Sequence, residues 1–226
     1  MKRFWREVTV DDDQAIRLDD RPVRTPGRAP LALPTTALSH AVAEEWRAVG
    51  DTVDPRTMPL TGLANAAIDR VAPDAAAFTR GLAAYADSDL LYYRADQPAE
   101  LVARQAATWN PLLDWARDRF DVHFEPVAGV IHHAQPAATV QRLSDAISVR
   151  DAFALAPMSP LVTITGTLVG TLALAEGAID ADALWNAAHV DEDWQAELWG
   201  EDSLATQARD HRRREFDAAV QFLSLL

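Results

Sequence analysis

The hydrophobic pattern of this chain changes its period once, near Pro34, and that change restricts it to a short strand-rich beginning succeeded by helices. Phe4-Trp5-Arg6-Glu7-Val8-Thr9-Val10 is rich in aromatic and β-branched residues, which suit a pleated, half-buried surface. Asp11-Asp12-Asp13 supplies a turn, and Ala15-Ile16-Arg17-Leu18 runs back as a second strand. Asp19-Asp20 turns the chain again before Pro22-Val23-Arg24-Thr25. Pro26-Gly27 breaks that segment, and Leu31-Ala32-Leu33 is a further short strand. A meander of this size is not stable by itself and must pack on the rest of the chain.

From residue 35 onward the spacing is helical. Thr35 or Thr36 caps a helix with the apolar stripe Leu38, Val42, Trp46 and Val49, ending at Gly50. Met58-Pro59-Leu60-Thr61 opens another, and Pro73 and Pro98 sit at first helical positions of two more. Asn110-Pro111 reads as a cap and a restart. Residues 121–136 read as a loop with extended pieces, and a helix through Val140, Leu143 and Ile147 precedes a break at Pro157–Pro160. Leu161 to Ala175 reads as one central buried helix, with Gly166 and Gly170 a turn apart for close helix approach. Leu184, Ala187, Val190, Trp194 and Leu198 form the next stripe, ending at Gly200; Phe216, Ala219, Val220 and Leu223 form another. The expected fold class is α+β: a small N-terminal antiparallel β-rich part packed on a mainly α-helical C-terminal part. The boundary falls after the first helix, giving residues 1–50 and a helical domain 51–226.

Composition narrows the function. With 34 acidic against 21 basic side chains, the formal charge is −13. Unaided binding to nucleic acid or anionic lipid is disfavoured, because both are polyanions. Lys2 is the only lysine, a skew that with the abundant alanine reflects genome composition. No cysteine is present, so no disulfide, thiolate metal site or cysteine nucleophile can form. The N-terminal residues hold no apolar run of signal-peptide length, and Leu161–Ala175 falls short of the roughly 18 residues needed to span a bilayer. The expectation is a soluble cytoplasmic protein without membrane insertion.

Chemistry-bearing motifs are sparse. Neither Gly-x-x-x-x-Gly-Lys nor Gly-x-Gly-x-x-Gly occurs, so a nucleotide cofactor is unsupported and no cofactor is expected. His132-His133 are adjacent and face apart on a helix or a strand, while His123 and Glu125 could share a strand face as a weak two-ligand site. His189 falls near Glu192 and Asp193 at helical spacing, as a surface pair. Asp87-Ser88-Asp89 is the best acid cluster; it reads either as a helix junction with an ion pair to Arg94 or as part of a small-molecule enzyme site using Asp87, Asp89 or His189. Among the seven tryptophans, Trp46, Trp109 and Trp194 fall on apolar stripes. Trp199, beside Gly200-Glu201-Asp202, suits a protein-binding site in which an indole anchors and carboxylates orient a basic partner. Arg209, Arg212, Arg213 and Arg214 read as a solvated helix face paired with neighbouring acids.

The order of these blocks is familiar. Arg3-Phe4-Trp5-Arg6-Glu7-Val8 opens the chain, succeeded by Leu18-Asp19-Asp20-Arg21-Pro22-Val23-Arg24-Thr25-Pro26 and by Ala41-Val42-Ala43-Glu44-Glu45-Trp46. Then come Met58-Pro59-Leu60-Thr61-Gly62-Leu63-Ala64-Asn65-Ala66-Ala67-Ile68-Asp69, Asp87-Ser88-Asp89-Leu90-Leu91-Tyr92-Tyr93-Arg94, Trp109-Asn110-Pro111-Leu112-Leu113-Asp114-Trp115-Ala116, and Trp194-Gln195 with Trp199-Gly200-Glu201-Asp202. Seven blocks in register resemble the ATP-twelve family, also called ATP synthase assembly factor two, across nearly the whole chain. The resemblance implies a non-catalytic assembly chaperone that binds the unassembled alpha subunit of the F-type ATP synthase head and keeps it from aggregating.

It also implies a β-rich N-terminal part and a helical C-terminal part, in alpha-proteobacteria and in mitochondria. A mitochondrial member would carry a presequence before the Phe-Trp block, and this chain is expected to be bacterial and monomeric. An acidic residue near the Trp-Gly block is linked with function in the family. Here the role is open between Glu201 and Asp202, since Ser203 and Leu204 stand where many bacterial relatives carry further acids. The expected partner-binding set is Trp199, Glu201 and Asp202, with Glu192 and Trp194. A structural subunit of the synthase is a rival reading.

Overall fold

The structure, a computed structural model, describes residues 1–200 and 202–226. Strands β1 (Val8–Val10), β2 (Ile16–Leu18) and β3 (Arg21–Pro22) form an antiparallel sheet in that order, with Val8 opposite Leu18 and Val10 opposite Ile16. Asp11 shapes the first turn by accepting the N–H groups of Asp13 and Ala15. Asp19, at φ +53°, makes the second turn, in the left-handed region that aspartate tolerates better than most residues.

Helix α1 (Thr36–Ala48) packs on this sheet. Thr35 Oγ1 accepts Leu38 N–H at 3.2 Å, the expected cap. The face that meets the sheet is Leu38, Val42 and Trp46, all buried with Val8, Ile16 and Leu18. Trp5 meets Trp46 edge-on at 5.6 Å, an arrangement the ring quadrupoles favour. The α+β expectation holds: a small antiparallel sheet at the N-terminus and a mostly helical remainder.

Packing groups the residues into two units. The first comprises residues 1–75, 151–158 and 215–226; the second comprises 76–150 and 159–214. The first thus extends past residue 50 through α2 (Pro59–Ala66) and takes in two later segments. Its core includes Phe222, and Thr35 Oγ1 donates to Leu225 O at 2.5 Å.

The second unit is built around α4 (Ala99–Phe120), whose Trp109, Leu112, Leu113 and Ala116 are buried. Trp109 Nε1 donates to Ala187 O at 2.7 Å, tying α4 to α8 (Ala181–Ala188). The second unit also holds α5 (Ala137–Ser148), α7 (Leu168–Ala175) and α9 (Val190–Trp199). β5 (Val127–Ala128), within the stretch 121–136 expected to hold extended pieces, pairs in parallel with β4 (Tyr93–Arg94). The remaining long helices are α6 (Ala152–Thr165) and α10 (Ser203–Ser224), and α3 (Ala75–Ala83) precedes the acid cluster.

Four local expectations fail, each where tertiary packing or one backbone position outweighs a local signal. Asn110-Pro111 does not restart a helix; α4 runs through it. An interior proline costs ~3 kcal/mol, while each fully buried large apolar side chain returns about 1.5–3 kcal/mol, and α4 buries several. Pro157 and Pro160 likewise lie inside α6 rather than breaking the chain, between the buried Leu155, Met158, Leu161 and Val162.

Leu161–Ala175 is not one helix. Gly166, at φ +68°, ends α6, and Thr167 caps α7 by accepting Gly170 N–H at 2.9 Å. Gly170 does serve close approach, since a Cβ there would lie 2.6 Å from Leu184 Cδ1. The stripe from Leu184 to Leu198 is divided at His189 into α8 and α9, and Leu198 is 56% exposed.

Candidate functional site

The carboxylates of the sequence blocks are largely committed inside the fold. Asp19 accepts Arg6 N–H at 3.0 Å and Glu7 N–H at 2.9 Å, joining the first block to the second. Glu45 accepts Leu60 N–H at 2.8 Å and both the N–H and the hydroxyl of Thr61, at 2.8 and 2.7 Å. It thereby satisfies the donors left open at the start of α2. Burial raises the Glu45 carboxyl above its ordinary range, and these donors oppose that rise. Asp69 accepts the Thr25 hydroxyl and Gly27 N–H, each at 2.7 Å.

Asp89 is fully buried and accepts three bonds: Leu91 N–H at 3.0 Å, the Thr167 hydroxyl at 3.0 Å and Val169 N–H at 2.9 Å. Asp87 accepts Gln135 N–H at 2.7 Å. These contacts explain why acids recur in the blocks: each pins two distant segments together. The expected ion pair of this cluster to Arg94 is not formed. Arg94 instead donates to Leu91 O at 2.9 Å and lies 5.1 Å from the Trp109 ring centre.

His189 is not a surface pair. It is buried, stacked on Trp185 at 3.9 Å, with Nδ1 2.7 Å from Trp185 O and Nε2 4.0 Å from Glu192. Burial is the main cause that lowers its basicity. Asp87, Asp89 and His189 are therefore each occupied by packing or backbone contacts. His132 lies 3.3 Å from Asp87 and 3.2 Å from the Tyr93 hydroxyl, whereas His133 lies 3.0 Å from Glu125, so the adjacent histidines face different carboxylates. Among the described residues no group of three or more metal-ligating side chains converges.

A different arrangement occurs where α9 turns into α10. Gly200, at φ +84°, ends α9, and Asp202 Oδ1 accepts Leu204 N–H at 2.9 Å to begin α10. Trp199 is 78% exposed, with Leu198 and Leu204 also projecting into solvent. Between α9 and the first half of α10 lies a cleft of about 750 Å³ that Glu192, Trp199 and Asp202 all line. Arg212 holds Glu192 at 2.9 Å and Arg209 holds Asp193 at 2.6 Å across it.

The arginine cluster of α10 thus pairs with acids of other helices, and Arg213 reaches Asp182 at 2.7 Å. The four arginines from Arg209 to Arg214 signalled this face by composition, but nothing local named their partners. Trp194 is half-buried and does not line the cleft; the Arg104 guanidinium lies 5.8 Å from its ring centre, and Arg104 pairs with Glu197 at 2.6 Å. Glu201 lies outside the described residues.

Residues 2–117 match the family model described as ATP12 chaperone protein. The chain belongs to the ATP12 chaperone family. Over 99% of its length it is similar to the crystal structure of Atp12 from Paracoccus denitrificans, with 40% identity, a TM-score of 0.93 and 97% of that chain covered. A mutant of P. denitrificans Atp12p matches with a TM-score of 0.95 at the same identity and coverage. The mitochondrial protein atp12 of Schizosaccharomyces pombe is 22% identical over 236 residues, spanning 97% of this chain and 81% of that protein. The α9–α10 turn lies beyond the residues matched by the ATP12 model and within the span shared with the Paracoccus Atp12 structures.

Proposed function

We propose that this ATP12-family chaperone serves assembly of the F-type ATP synthase by holding the unassembled alpha subunit, and that the α9–α10 turn is its contact. The observation that carries the reading is Trp199, exposed with Leu198 and Leu204 beside the carboxylates of Glu192 and Asp202. This turn sets exposed apolar area beside two carboxylates on the surface, Asp202, which also accepts Leu204 N–H, and Glu192, which Arg212 holds. An indole with flanking carboxylates fits a partner surface that is apolar at its centre and basic at its edge. Glu201 and Trp194 belong to the same proposed set through the sequence resemblance.

An alpha subunit outside its ring exposes apolar surface made for a neighbour, and such patches drive aggregation. A binder that covers the patch lowers the concentration of sticky monomer by mass action. No phosphate-binding glycine loop occurs in the sequence, so release occurs by competition from the true neighbour rather than by nucleotide hydrolysis. The working form is a monomer in the bacterial cytoplasm, acting without nucleic acid. No described helix is long and apolar enough to cross a membrane.

The test is to dilute denatured alpha subunit into buffer and follow light scattering. Wild-type chain in equimolar amount should suppress scattering, and Trp199→Ala, whose fold is unburdened because the ring is exposed, should suppress it at least several-fold less. Equal scattering with and without the wild-type chain would overturn the reading.

A further inference from the structure

The cleft between α9 and α10 holds more carboxylate than it neutralises. Glu192, Asp193, Asp202 and Asp210 line it, against two guanidinium groups, Arg209 and Arg212. Both of these are committed, Arg209 to Asp193 at 2.6 Å and Arg212 to Glu192 at 2.9 Å. Asp202 and Asp210 are exposed, and neither forms an ion pair with a described residue. Asp202 Oδ1 holds Leu204 N–H, which leaves Oδ2 open. The excess persists in a wider count. Residues 190–214 contain seven carboxylates and four guanidinium groups. The two groups that pair in from other helices, Arg104 on Glu197 and Asp182 on Arg213, cancel each other. Arg214 is exposed and does not line the cleft.

Small residues shape the space beside these acids. Ala196 on α9, Gly200 at the turn, and Ala205 and Ala208 on α10 line the cleft. A Cβ on Gly200 would meet nothing within 4 Å. A long side chain entering from another molecule can therefore lie along these walls, with the exposed indole of Trp199 beside it. Arginine fits such a place better than lysine. Its stem covers apolar wall, and its planar head stacks on an indole and grips a carboxylate with two N–H groups, whereas ammonium is a strongly hydrated point charge.

We propose that the cleft takes an arginine-bearing apolar segment of the partner polypeptide, with guanidinium groups meeting Asp202 and Asp210. Eight positions separate the two carboxylates, roughly 12 Å at the helical rise, so two arginines about two helical turns apart would match them. Apolar side chains between those arginines would cover Trp199 and Leu204. Free arginine would satisfy the charge and leave that apolar area in water, which favours a polypeptide. The inference rests on the reading that this turn is the partner contact, and it adds the chemistry of what enters.

The experiment uses the full chain and a fluorescein-labelled twelve-residue peptide of alanine and leucine with two arginines seven positions apart, followed by fluorescence anisotropy at low salt. Versions with lysine and with citrulline, the uncharged isostere, accompany it, and argininamide serves as competitor. The citrulline peptide should bind about tenfold more weakly than the arginine peptide, and the lysine peptide about threefold more weakly. In Asp202→Asn/Asp210→Asn the arginine peptide should lose about tenfold while the citrulline peptide is unchanged, so the preference disappears. If that variant loses its helical circular dichroism, Asp210→Asn alone replaces it, with an expected loss of about threefold. Equal binding of the arginine and citrulline peptides, equal binding of the lysine peptide, an equal loss for every peptide in the variant, or displacement by argininamide at the peptide's own concentration would each overturn the proposal. The alpha-subunit reading is tested separately by light scattering. Suppressed scattering without arginine preference would sink this inference alone, and arginine preference without suppression would sink that reading alone.

Discussion

Asp89 Oδ2 accepts the backbone N–H of Val169 at 2.9 Å from a carboxylate that no solvent reaches. The bond joins the Asp87–Arg94 block to the first turn of α7, and Leu90 N–H donates to Gly166 O at 2.9 Å beside it. Burial raises the Asp89 carboxyl from 3.8 to about 6, against the opposing pull of Val169 and Leu91 N–H and the Thr167 hydroxyl. Because the folded value lies above the unfolded one, the folded state holds more protons between them. That contribution to stability is complete below about pH 4 and is lost as the pH rises through about 6, a change of about 2–3 kcal/mol. Asp89→Asn does not titrate. The difference in unfolding free energy between wild type and this variant, taken from urea titrations between pH 4 and pH 7, should fall with rising pH by that amount. A flat difference would mean that the three donors hold the carboxylate ionised throughout.

Glu45 offers a test without titration. Glu45→Ala strips Leu60 and Thr61 of three bonds at the start of α2. Loss of a partly buried, charge-assisted acceptor should cost about 2–3 kcal/mol in chemical denaturation. Glu45→Gln keeps one acceptor oxygen and should cost about half as much. Equal, negligible costs would show that water replaces the carboxylate.

Gly170 should tolerate no side chain. A Cβ would sit 2.6 Å from Leu184 Cδ1 and 2.8 Å from Thr167 Cγ2, and both side chains are fully buried. Gly170→Ala should therefore lower stability by about 1–3 kcal/mol. Gly50→Ala, where nothing lies within 4 Å of the added carbon, should be neutral or slightly stabilising. The pair separates a packing requirement from a general preference for glycine.

Asp202 has two roles that single substitutions separate. It begins α10 by accepting Leu204 N–H, and it places a carboxylate beside Trp199 on the α9–α10 cleft. Asp202→Asn keeps the cap and loses the charge; Asp202→Lys loses both. In thermal melts the asparagine variant should match wild type, and the lysine variant should lose about 1 kcal/mol. In alpha-subunit binding both should be weakened, the lysine variant more. Wild-type affinity in the asparagine variant would assign this residue to helix capping alone.

Local pattern revealed whatever depended on neighbours in sequence. The meander, the Thr35 cap, the stripe of α1 and the extended piece after α4 were readable because turn residues and periodicity act over a few positions. The prolines of α4 and α6 misled because their local cost is outweighed by side chains buried against segments far away in the chain. Gly166 misled in the other direction: its spacing from Gly170 suggested helix packing, while its backbone adopts φ +68° and ends the helix. His189 looked like a surface residue because its carboxylate neighbours are close in sequence, whereas Trp185, four residues earlier, covers its ring. The partners of Arg209 and Arg212 lie about 16–20 positions away on another helix, beyond any local rule.

The first packing unit seals its core with Phe222, more than two hundred positions after Trp5 enters it. During synthesis the N-terminal strands and α1 must therefore wait, with Trp5, Leu38 and Val42 lacking a full cover, until residue 222 has left the ribosome. A member of a chaperone family thus leaves its own first unit without a full cover until a segment more than two hundred positions downstream has been made.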